Sequence, residues 1–245
     1  DGSAEPSLFV ESQRGATAPM VVVLHTWSAE RHNQVERVLP YVTKRQWNAL
    51  FPEFRGPNLA ENPRAHQACA SILAMQDIVD AIEYVGARCA AHAPIFLLGG
   101  SGGGHMALMM AAYCPEMWNE IFAACPITDL ARWHSDNPAY APHIEACCGG
   151  PPDTFSRLKE YMHRSPVTYA AAIGKARVHI AHGKDDRSVP FIHSLSLYHR
   201  IHRARRNASV YLEIFDGGHE IRLDDAFGIF DRHAATQNTK ETLSG

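Results

Sequence analysis

The chain has 245 residues, 46% apolar and 20% charged, with 17 Gly and 15 Pro, a composition that fits one globular domain or two small ones and excludes disorder, collagen and coiled coil. Its longest apolar runs, 18–24 and 106–112, fall far short of the roughly 20 residues that span a bilayer, so a soluble protein with no membrane partner is expected. The formal charge of −3 lacks the basic surplus that nucleic acid demands, although protonating all fifteen histidines at mildly acid pH would turn it to +12.

The opening DGSAEPS is small and polar and has no leading methionine, which leads to the expectation of a secreted or periplasmic protein, with a cytoplasmic one as the alternative. From residue 20 onward, short β-type runs at 20–25, 48–51, 95–99, 121–125, 177–181 and 209–215 alternate with amphipathic stretches near 32–45, 67–90, 102–113, 153–163, 190–205 and 221–234. Strand and helix in alternation predict an α/β fold, a mostly parallel sheet covered by helices on both faces. The proline-studded interval 127–175 carries no clear strand and reads as an insertion over the edge or mouth of a single domain, 1–245.

In such a sheet, reacting groups gather where strands end and helices begin. The run Ile95 to His105 leads an apolar strand into Gly99-Gly100-Ser101-Gly102-Gly103 and then a helix. This is G-x-S-x-G, a sharp turn that holds one serine in a strained conformation with glycines where neighbouring Cβ atoms would collide. A glycine-rich anion-binding turn is the plainer alternative, and a dinucleotide loop fits poorly.

A serine hydroxyl needs a base, and the base needs an orienting carboxylate. Asp185 and Asp186 follow the strand near 177–181, and His219 follows Gly217-Gly218 after the last strand. The order Ser101, Asp186, His219 is that of G-x-S-x-G hydrolases. Asp186 is preferred over Asp185 because it stands at the turn entering the Pro190 helix; the other reading for both is loop acidity. Of the other histidines, His105 falls on the helix behind the serine, and His92, His199 and His202 read as helix surface. Two amides are candidates to hold the developing oxyanion, those of Gly102 and Trp27. The Trp27 ring either lines an acyl pocket or packs beneath its loop.

With these residues in place, the sequence resembles the catalytic domain of the prolyl oligopeptidase family within the α/β-hydrolase superfamily. The likeness extends over about residues 20–220 and takes in Phe54-Arg55-Gly56-Pro57-Asn58, Gln76-Asp77, Pro126 to Leu130, Arg164 to Tyr169 and His182-Gly183 through Pro190. The resemblance implies a triad of Ser101, Asp186 and His219. Where many relatives carry His-Gly-Gly, this chain reads His25-Thr26-Trp27-Ser28. With no room for the family's β-propeller, a stand-alone esterase-like domain is expected, a serine hydrolase of small-molecule or polymer esters. A small peptidase or acylaminoacyl hydrolase is the alternative, and a noncatalytic binding module a third reading.

Neither cofactor nor metal is implied. The six cysteines show no C-x-x-C pair. Four read as buried small hydrophobes, and the Cys147-Cys148 pair is expected in a Gly/Pro-rich loop where it can bridge outward. The basic run 198–206 reads as a helix C-terminus that offsets the dipole. Trp133, His134, Tyr140 and His143 would form a cleft wall if the insertion overhangs Ser101, or else pack on themselves.

Overall fold

The computed structural model describes residues 2–86 and 93–244, with side chains described as far as residue 235; Cys89 and His92 lie outside the described residues. Among these, seven strands form one sheet: β1 (Ser7–Val10), β2 (Met20–Leu24), β3 (Asn48–Pro52), β4 (Ile95–Gly100), β5 (Glu120–Ala124), β6 (Val178–Gly183) and β7 (Val210–Phe215). Their order is β1-β3-β2-β4-β5-β6-β7. β1 is antiparallel to β3 and every other pair is parallel.

β2 and β3 are buried along their whole length, as continuous apolar strands covered on both faces must be. Alternate residues feed two separate cores. Met20, Val22, Leu24, Leu97, Ile121 and Ile180 pack against α2 (Ile72–Gly86), α3 (Gly102–Tyr113) and α8 (Ile192–Ala204). Val21, Val23, Phe96, Leu98 and Phe122 pack against α1 (Val35–Arg45) and α9 (Leu223–Ser244) on the other face.

The 127–175 interval is helical: α4 (Leu130–Asp136), α5 (Ala141–Cys148), α6 (Phe155–His163), a 3-10 turn at Pro166–Tyr169 and α7 (Ala170–Ile173). Ile127, Leu130, Trp133, Ile144, Cys147, Cys148 and Tyr161 build a third apolar cluster with Trp27 and Val189, whereas Ala170 and Ile173 belong to the α3 and α8 core. The cysteine expectation is corrected here. Cys147 and Cys148 end α5 and point into this cluster as free thiols, because a helix finishing at Gly149 (φ 82) buries its last turn instead of leaving it in the loop. The basic run closes α8, with His202 and Arg203 in the last turn and the His202 ring bonded to the Val210 carbonyl at 2.9 Å. No helix is long and apolar enough to cross a membrane among the described residues.

Candidate active site

Ser101 caps α3 with φ 56 and ψ −119, a left-handed conformation that a non-glycine residue holds only when its surroundings impose it. They do so through backbone packing. A Cβ at Gly99 would stand 2.1 Å from the Gly103 carbonyl oxygen, so the strand can turn into the helix this tightly only with glycine there. The Ser101 amide remains tied to the Ala124 carbonyl of β5 at 2.8 Å. The side chain is thereby presented above the positive end of α3.

Asp186 sits in the turn after β6, buried, while Asp185 is exposed. Its Oδ1 accepts the amides of Ser188 and Val189 at 2.9 Å each, and its Oδ2 lies 2.7 Å from His219 Nδ1. This bond puts the His219 proton on Nδ1 and leaves Nε2 as the basic nitrogen. A second histidine, His182, stands fully buried with Nε2 3.3 Å from the same Oδ2. Burial alone would raise the Asp186 carboxyl, but the bonds from His182, His219 and the Val189 amide outweigh it and hold the group well below the usual carboxylate range. For His219 burial works to lower the pKa, and the Asp186 bond followed by a contact with Cys125 raises it to about 9.

Ser101, His219 and Trp27 line one cavity of about 490 Å³, together with Thr26, Ser28, Cys125, Tyr140 and Ser188. No hydrogen bond joins the Ser101 hydroxyl to His219 among the described residues; both face the same space, and contacts of this kind commonly tighten only around substrate. Of the four insertion residues singled out by sequence, Tyr140 reaches the cavity. Trp133 is buried and donates to the Ser188 carbonyl at 2.9 Å, His134 pairs with Glu145 at 2.7 Å, and His143 accepts the Ala60 amide at 3.0 Å.

The Gly102 and Trp27 amides come together. A Cβ at Gly102 would lie 2.5 Å from the Trp27 nitrogen, so only glycine lets the two backbones meet, and neither N–H donates to a protein acceptor among the described residues. The Trp27 loop is braced from behind. Its carbonyl accepts the Asn58 amide at 2.8 Å, and the Asn58 side chain in turn accepts the Cys69 amide at 2.7 Å. Arg55, buried with φ 66, locks that second loop by a two-point contact with Asp77 at 2.7 and 3.0 Å. The Trp27 ring, 2% exposed, meets Trp133 edge-on at 4.8 Å. It packs beneath its loop while the residue still contributes to the cavity wall.

Sequence reasoning missed His182 and Cys125. His182 had a signal, since it stands four residues before Asp186 at the end of a buried strand. Cys125 lies just past the end of β5 with φ 44, and its thiol donates to the Glu220 carbonyl at 3.4 Å. The donor atoms of Cys125, His182 and Asp186 lie within 4.8 Å of one another, close enough for a metal ion. Both His182 nitrogens are already engaged, however, Nδ1 with Ser194 Oγ at 2.7 Å and Nε2 with the Val189 carbonyl at 2.8 Å. A carbonyl can only accept, so Nε2 carries the proton, and His182 reads as a hydrogen-bonded support for Asp186.

The sequence profile of the Prolyl oligopeptidase family matches residues 72–236; no curated protein sequence matches the chain. Among solved structures, Pyrococcus horikoshii acylaminoacyl peptidase superposes with a TM-score of 0.68 at 18% identity, over 95% of this chain and 38% of that one. Prolyl oligopeptidase B from Galerina marginata gives 0.70 at 15%, over 94% and 36%. A Pyrococcus furiosus esterase gives 0.64 at 14%, over 95% and 90%. The chain thus spans less than two fifths of the two peptidases, and at these identities the superpositions establish the shared α/β-hydrolase fold. The family profile extends over two thirds of the sequence, and with the strained serine turn and the order of the elements it places the chain: this protein belongs to the prolyl oligopeptidase family.

Proposed function

We propose that the protein hydrolyses carboxylic esters through an acyl-enzyme formed on Ser101. Ser101 Oγ attacks the carbonyl carbon as His219 Nε2 takes its proton, and the resulting imidazolium is steadied by Asp186. The Gly102 and Trp27 amides receive the oxyanion, a contribution worth about 3 kcal/mol per donor in comparable sites. Collapse breaks the bond to the alcohol, which leaves with the proton from His219. Water, deprotonated by the same imidazole, then releases the acid and regenerates Ser101.

The observation that carries this reading is the Asp186–His219 bond of 2.7 Å facing the cavity that holds Ser101. Ester over amide is favoured by two features. The chain aligns with 90% of the Pyrococcus furiosus esterase, and an amide, the harder bond, asks for more extensive positioning than an open cavity of about 490 Å³ supplies. The second reading, a small peptidase or acylaminoacyl hydrolase, draws support from the two peptidase superpositions.

A panel of 4-nitrophenyl acetate and butyrate beside aminoacyl 4-nitroanilides separates the two. The ester reading expects kcat/KM at least about a hundredfold higher for the esters. Strong anilide turnover with weak ester turnover reverses it.

A further inference from the structure

The cavity carries an arginine that the ester mechanism does not use. Arg37, on the wall shared with Ser101 and His219, is exposed and lies in the first turn of α1. A cation there opposes the helix dipole, which favours negative charge at that end. Its hydrogen bonds are long and go to neutral acceptors, Gln34 Oε1 at 3.4 Å and the Ile221 carbonyl at 3.3 Å.

Neighbouring arginines differ. Arg31 is 3.5 Å from Glu53, Arg45 is 2.7 Å from Asp231, and Arg222 pairs with Glu213 and Asp225 at 2.9 and 2.6 Å. Acids near Arg37 are occupied elsewhere. Asp224 accepts from the Tyr41 hydroxyl at 2.9 Å, Asp225 is held by Arg222, and Glu220, on the same cavity wall, accepts the Gly218 amide at 3.2 Å. Arg37 makes no ion pair among the described residues and keeps N–H donors beyond those two bonds, where it borders both the Ser101 cavity and an adjoining one of about 450 Å³.

We infer that Arg37 recognises a carboxylate on the substrate, so that the preferred esters carry a free acid group near the scissile bond. The inference rests on the ester hydrolase reading and specifies its substrate class. Arg37 is a specificity residue. Its guanidinium binds the remote carboxylate and takes no part in bond making.

The test compares 4-nitrophenyl hemiglutarate, which is anionic, with 4-nitrophenyl butyrate, of similar length but neutral. Wild-type protein is expected to favour the anionic ester, despite its own net charge of −3. In Arg37→Gln the ratio of kcat/KM for anionic over neutral ester should fall about tenfold, chiefly through KM. Because the guanidinium is solvent-exposed, salt at about 0.5 M should erode the ratio in wild type and leave it unchanged in the variant. Glu220→Gln should raise the ratio. A ratio unaltered in Arg37→Gln, or a parallel loss on both esters that marks Arg37 as a mere tether of Ile221, overturns the inference.

If wild type turns over neither ester, the ester reading has failed separately, and glutarate binding decides the Arg37 site. A rise in Tm with glutarate that Arg37→Gln abolishes sustains it. No rise in wild type refutes it.

Discussion

Two buried carboxylates on neighbouring strands each hold two histidines, at opposite ends of the sheet. Asp186, after the carboxyl end of β6, binds His182 at 3.3 Å and His219 at 2.7 Å. Glu120, at the start of β5, stands 3.4 Å from both His179 and His233. The difference is a fixed cation. Glu120 also pairs with Arg177 at 3.2 Å, so a permanent cation meets its charge. At His179, burial first, and then the repulsion of Arg232 and Arg177, overcomes the attraction of Glu120 and lowers the pKa. Asp186 has backbone amides and imidazoles but no arginine among the described residues, and His219 is raised to about 9. A carboxylate neutralised by a permanent charge builds structure, whereas one that depends on a titrating partner can help move a proton.

The sign of that difference sets the pH behaviour. A raised His219 pKa contributes stability that is complete below the ordinary value near 6.5 and is lost as pH rises through about 9. The lowered Asp186 pKa contributes stability present above its ordinary range and lost as pH falls through the folded value. The pair is therefore most stabilising in mildly acid solution. The proposed mechanism needs neutral His219, so kcat/KM should climb as pH rises above that window, with its acidic limb well above 6.5 and toward 9.

The sharpest way to break the comparison is Asp186→Asn. Turnover of 4-nitrophenyl acetate should fall about 10⁴-fold, and the acidic limb of the residual activity should move to lower pH because the anion that raised His219 is gone. A limb that stays in place would mean that Asp186 does not set the His219 pKa. At the other end of the sheet, Glu120→Gln should leave turnover unaltered and cost about 1–2 kcal/mol of stability, read as a Tm lower by roughly 2–6 °C. Activity lost along with Tm would show that the two clusters are coupled.

The contrast also explains what was legible in the chain. The serine turn, the Ser101–Asp186–His219 order and the six parallel strands were readable because each rests on local chemistry: glycines at a tight turn, apolar runs of strand length, an acid and a histidine just past strand ends. Asp186 could be preferred over Asp185 for the same reason, since it stands at the turn entering the next helix, where it accepts the Val189 amide at 2.9 Å.

What escaped was set by tertiary contact. β1 is four residues at the sheet edge with one exposed and three half-buried positions, too short and too mixed to register as a strand. β5 ends at Ala124, one residue before the expected limit, because Cys125 leaves the strand with φ 44 to meet the His219 loop. α9 begins at Leu223, two residues after the expected start, and runs on to Ser244. The burial of Cys147 and Cys148 depends on Trp27, Tyr161 and Val189, which lie far apart along the chain. His182 and Glu120 draw their meaning from partners on other elements.

The central claim, that Ser101 is the nucleophile activated by His219, is tested most directly by covalent labelling. A fluorophosphonate should add once, on the peptide carrying Ser101, with loss of ester turnover in proportion to labelling. Ser101→Ala should take up no label and lose turnover about 10⁶-fold, with its Tm retained. Label on another residue, or undiminished turnover in Ser101→Ala, would contradict the account.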